Sequence, residues 1–142
     1  MNRKTIYIAG PMAGLPNNNR SAFLTAHERL NRDGWYVVTP IGFDAVFGLK
    51  EHPDNYNLLR ACMESELAAI PFLDAIYLLK GWEKSKGARK ELKVALEHDL
   101  QIIVEESEER KAKQQTYEKM AKSYGMKPIE ILVPAKRKTD VS

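Results

Sequence analysis

The chain has 142 residues, 44% of them hydrophobic and 29% charged, with a formal net charge of +3. That is one domain's worth of sequence with a core of its own. No apolar run approaches the roughly 20 residues that cross a bilayer, so no membrane association is expected. A single cysteine, Cys62, excludes an internal disulfide framework and suits a reducing cytoplasm. His27, His52 and His98 lie far apart without ligand spacing, so no metal site is expected.

TIYIA (5–9) is a short run of β-formers closed by Gly10 and Pro11. Apolar residues at 22, 23, 26 and 30 predict a helix over 21–33, stopped by Gly34. WYVVTP (35–40) reads as a second strand, and 41–57, without clear period, as a long loop. A second helix is expected over 58–70, with Leu59, Cys62, Met63, Leu67 and Ile70 on one inward stripe that also carries Glu66. DAIYLL (74–79) is an almost unbroken apolar run, the mark of a central parallel strand covered on both faces.

Residues 87–99 predict a helix with Ala88, Leu92, Ala95 and Leu96 inward, and QIIVE (101–105) another buried strand. A charged helix over 106–124 and a last strand at 129–133 complete the pattern. A single domain is expected over 1–134, followed by a flexible basic tail, AKRKTDVS (135–142). No groove-reading motif accompanies that tail, so nucleic-acid binding is not expected.

Five strands alternating with four helices imply an α/β fold, a five-stranded parallel sheet between helical layers. Ligands of such sheets bind beyond the carboxyl ends of the strands. The segments expected at that edge are 10–19, 41–57 and 80–88. AGPMAG (9–14) is neither a dinucleotide fingerprint nor a phosphate-binding P-loop, but Gly10 allows close backbone approach. Ser85-Lys86-Gly87 opens a helix, where unpaired N–H groups and the positive dipole end favour an anion; an ordinary N-cap explains the same residues. Glu66 and Glu91 both turn inward, and two carboxylates at a ligand edge suit glycosyl chemistry; each alone is also explained as a boundary residue. Tyr7 sits in the first strand, and Trp82 lies above the sheet, either as a stacking surface for a base or packed on the protein itself.

IYIAGPMAGLP, ACMESELAAIPFLDAIYLL and GWEKSKGARKELKVALEHDLQII resemble the nucleoside 2-deoxyribosyltransferase-like superfamily, in its small bacterial and phage branch. That superfamily includes the deoxynucleoside 5′-monophosphate N-glycosidases. The resemblance spans residues 5 to about 105, and S-x-G-x-x-x-E is its most specific element. It implies a flavodoxin-like fold, a three-layer sandwich related to Rossmann folds. It implies Glu91 as the nucleophile that forms a glycosyl-enzyme intermediate and Tyr7 as its positioning partner. Ser85, Gly87 and Gly10 would bind the sugar or phosphate end. Glu66 stands where the family usually has Asp, and Pro11 where the nucleotide-hydrolysing members have Ser.

The function expected is therefore cleavage or transfer at the N-glycosidic bond of a (deoxy)nucleoside or its 5′-monophosphate, as hydrolase or transferase. No cofactor is needed, and a homo-oligomer in the cytoplasm is implied. Two alternatives stand beside it. One is a nucleotide-binding module that does not cleave its ligand; the other is an interaction protein acting through 106–142.

Overall fold

The computed structural model of the chain describes residues 3–105, 118–125 and the backbone of 131–132. Its parallel sheet is built on four strands: β1 (Thr5–Ala9), β2 (Tyr36–Val38), β3 (Ala75–Leu78) and β4 (Gln101–Val104). A two-residue strand, β5 (Ile131–Leu132), pairs with β4 and completes the order β2-β1-β3-β4-β5. The full-length fifth strand expected over 129–133 is thus represented by two paired residues, the others lying outside the described residues. So does the tail expected at 135–142.

β1 shows how the sequence positions the sheet. Ile6 and Ile8 point to one face and pack with Phe23, Ala26 and Leu30 of α1 (Arg20–Arg32). Tyr7 and Ala9 point to the other and pack with Leu92, Ala95 and Leu96 of α4 (Lys86–Glu97). The period-2 alternation of a strand meets the helical period on both faces, so neither face of β1 is left wet. β3 is buried at every residue, as its unbroken apolar run requires. At the amino edge, Thr5 N–H and Oγ1 both donate to Asp74 Oδ2 (2.8 and 3.1 Å), which fixes the start of β1 against β3.

Two expectations are corrected. Within 41–57, read as a loop, α2 spans Pro40–Phe47. Thr39 Oγ1 accepts from the Gly42 N–H (3.2 Å), Pro40 takes the first helical position, and Gly48 ends the helix at φ 68°. α3 (Tyr56–Ala69) begins at Asn55, whose side chain accepts from Leu58 N–H. Its expected core stripe is only partly core. Cys62 and Ile70 are buried, while Leu59 and Met63 are 42% and 38% exposed.

Of the expected charged helix, residues 118–123 are helical and bury Met120 and Ala121 beside α4, and 106–117 lie outside the described residues. Among the described residues no helix is long and apolar enough to cross a membrane.

Candidate functional site

Strand order reverses between β1 and β3, and beyond their carboxyl ends lies a cavity of about 390 Å³. That falls within the roughly 300–1,000 Å³ of small-molecule sites. All three segments expected at this edge reach it: Gly10 and Asn18 after β1, Asp44 and Leu49 after β2, Ser85 and Gly87 after β3. α3 adds a fourth wall through Leu59, Met63 and Glu66, which is why its apolar stripe is open to solvent.

α4 carries the central carboxylate. Ser85 caps the helix, its Oγ accepting from the Ala88 N–H (3.2 Å), and Leu92, Ala95 and Leu96 hold the helix on the sheet. Glu91, adjacent to Leu92, is thereby carried to the cavity while only 6% exposed. Tyr7 reaches it from the middle of β1, its hydroxyl donating to Glu91 Oε2. Burial pushes the Glu91 carboxyl up to about 8; the Tyr7 hydrogen bond opposes this by favouring the ionised form, and the nearby Glu66 charge adds to the rise. Burial, and then the Glu91 charge, push the Tyr7 hydroxyl well above its usual range, so it remains a donor.

Glu66 lies across the cavity in a cluster with Asp44 and Cys62. The Cys62 Sγ is 3.4 Å from Asp44 Oδ1 and 3.6 Å from Glu66 Oε1. Burial and the Asp44 charge push Glu66 up to about 7, and burial raises Asp44 as well. Burial between these two carboxyls raises the thiol strongly. The three side chains offer atoms within 4.8 Å of one another. One thiol among two carboxylates matches neither the sulfur- and imidazole-rich zinc sites nor the all-oxygen sites of calcium and magnesium. We therefore treat the trio as a hydrogen-bonded cluster.

The two expected glycines differ in kind. A Cβ on Gly10 would meet Leu79 Cβ at 2.7 Å, so glycine is demanded there by packing. A Cβ on Gly87 would meet nothing nearer than Ser85 Oγ at 3.9 Å, so the space beside it faces the cavity and stays open. Trp82 is placed away from the cavity. It is fully buried in the α4-side core, its Nε1 without a hydrogen-bond partner among the described residues, and offers no stacking surface for a base. Asp44 was hidden from sequence reasoning inside the presumed loop. The Thr39-Pro40 start and the Gly48 stop were the signal that places it on a helix.

Cavity, switch point and carboxylates define a parallel α/β protein with an acid-lined cavity at the carboxyl ends of its strands. The chain belongs to the family described as a domain of unknown function, DUF4406, which matches residues 4–104 and so contains every cavity residue named above. Comparison with the curated proteins finds no match. Among solved structures the chain is similar to the solution structure of BlsM, with a TM-score of 0.57, 17% sequence identity, and coverage of 94% of this chain and 82% of that one. At that identity the likeness is one of fold.

Proposed function

We propose that the protein is an N-glycosidic bond enzyme acting on a nucleoside or deoxynucleoside, or its 5′-monophosphate, with Glu91 as nucleophile. The observation that carries this is the buried Tyr7–Glu91 pair at the cavity wall. A carboxylate held by one phenolic donor on Oε2 keeps Oε1 for a second partner. Ionised Glu91 attacks the anomeric carbon, the C–N bond breaks, and its electron pair leaves with the base, which takes a proton from Glu66. Water or a second base then opens the glycosyl ester, giving a hydrolase or a transferase. Ser85 accepts from Ala88 N–H and still has its own O–H to donate; with the open backbone at Gly87 it would hold the sugar or phosphate end.

The order β2-β1-β3-β4-β5 supports the flavodoxin-like form and, with the S-x-G-x-x-x-E placement, the deoxyribosyltransferase-like superfamily. The carboxylates supply the chemistry without a cofactor. A homo-oligomer, implied by the resemblance, belongs to the same proposal.

The test is chromatographic detection of free base from a panel of ribo- and deoxynucleosides and their 5′-monophosphates, with and without a second base as acceptor. Base release establishes the bond broken and whether phosphate is required. Saturable calorimetric binding with no release under either condition would replace the enzyme by a nucleotide-binding module.

A further inference from the structure

The Asp44–Cys62–Glu66 cluster contains a proton count that the glycosidase assignment does not use. A thiol carries one proton, yet the Cys62 Sγ lies within hydrogen-bond reach of both Asp44 Oδ1 (3.4 Å) and Glu66 Oε1 (3.6 Å). One S–H serves one carboxyl at a time. With it on the nearer Asp44, Glu66 Oε1 receives nothing from sulfur, and the Asp44 charge beside it favours a proton on Glu66. The cluster thus has two arrangements, with the Cys62 S–H donated to Asp44 or to Glu66.

We propose that Asp44 is a positioning residue of this site: by engaging the Cys62 thiol it keeps the Glu66 carboxyl protonated at the cavity wall. Resting on the assignment above, this makes Glu66 the group that protonates the departing base. When Glu66 gives up that proton to the base, the S–H turns from Asp44 to the new Glu66 carboxylate, and the cluster is left one proton short. The two arrangements differ by that proton and one thiol rotation, so the relay resets when water returns a proton to Glu66.

Three elements meet Glu66 here. α2 brings Asp44, α3 brings Cys62, and α4 brings Glu91 and the Lys90 that also lines the cavity. From β1, Tyr7 also feels the Glu66 charge, but it is engaged by Glu91. The Asp44 charge favours the protonated form of Glu66, whereas a thiol turned toward Glu66 favours the ionised form. Removing Asp44 therefore moves Glu66 in one direction through both effects.

The test needs no turnover. Glutamate-carboxyl ¹³C titration of the full chain, with the Glu66 signal assigned by Glu66→Gln, compares wild type with Asp44→Asn and Asp44→Glu. Asp44→Asn should move the Glu66 midpoint down toward the ordinary carboxylate range, and Asp44→Glu should restore it. Cys62→Ser, which keeps one proton and an acceptor, should behave as wild type, whereas Cys62→Ala should reduce the dependence on residue 44 to the direct effect of the Asp44 charge. An unmoved midpoint in Asp44→Asn, or identical titrations for Cys62→Ser and Cys62→Ala, would overturn the relay. Where base release is measurable, the low-pH limb of its rate should follow the Glu66 midpoint in Asp44→Asn, because Glu66 has the lower midpoint of the pair; a limb that stays put while the midpoint moves would overturn the role in base protonation. Absence of base release from the wild type would remove the glycosidase assignment alone, since the titration decides the relay independently.

Discussion

Glu91 and Glu66 face one cavity with midpoints of about 8 and about 7, so between those values the pair holds roughly one proton, mainly on Glu91. The productive form, with Glu91 ionised and Glu66 protonated, is the minor singly protonated arrangement. Its population rises as pH approaches 7 and falls above 8, which predicts a bell-shaped kcat/KM profile with its maximum between those values. A profile rising without limit through pH 9 would contradict the assignment of Glu66. Tyr7→Phe removes the donor that favours ionised Glu91, whose midpoint is the higher of the two, so the falling limb should move to higher pH and the maximum should drop. At pH 7 the rate should fall roughly 10- to 100-fold, as expected for a hydrogen bond to a charged group of about 1.5–3 kcal/mol. Tyr7 and Glu91 were legible in the sequence because strand alternation and helical spacing both turn them inward. The sequence leaves Trp82 between two readings because spacing shows that a residue leaves a strand, and not whether its ring then folds back into the core, as it does.

At the scale of elements, the glycines separate packing from binding. Gly10→Ala drives a Cβ into Leu79 and should cost about 1–3 kcal/mol, read as a lowered Tm; in a Leu79→Ala background the same change should cost less. Gly87→Ala meets no such contact and improves helix propensity, so Tm should hold or rise slightly while ligand affinity drops. A Gly87→Ala protein with unchanged affinity would remove the backbone at that position from the site. Ser85→Ala should lose about 0.5–2 kcal/mol as an N-cap regardless of any ligand, so affinity must be compared at temperatures where both proteins are folded. α2 escaped sequence analysis because eight residues make two turns, too few for an apolar period to show. Its caps were in plain view, and reading Thr39-Pro40 with Gly48 as start and stop would have put Asp44 on the cavity wall.

For the whole molecule, burying Glu91 couples folding to protons. The folded state holds the Glu91 proton up to about 8, against 4.5 for the free carboxyl, so it binds more protons than the unfolded chain between those values. That contribution is complete below pH 4.5 and is lost as pH rises through 8. Tm should therefore decline across this interval, and Glu91→Gln should flatten the decline; equal slopes in the two proteins would contradict burial of the carboxyl. Parallel α/β architecture was legible from strands alternating with helix-length connections. Which strands are neighbours was not, because hydrogen-bond partners across a sheet leave no local mark in the sequence. Every chemical detail follows from that order, since it is the reversal between β1 and β3 that opens the cavity under Glu91. The most direct test is intact-protein mass spectrometry after acid quench of the protein turning over whichever nucleoside or nucleotide releases base, followed by peptide mapping. The account predicts an added sugar mass on the peptide containing Glu91, and neither adduct nor base release in Glu91→Gln. Full base release by Glu91→Gln, or an adduct mapped to a different residue, would contradict it.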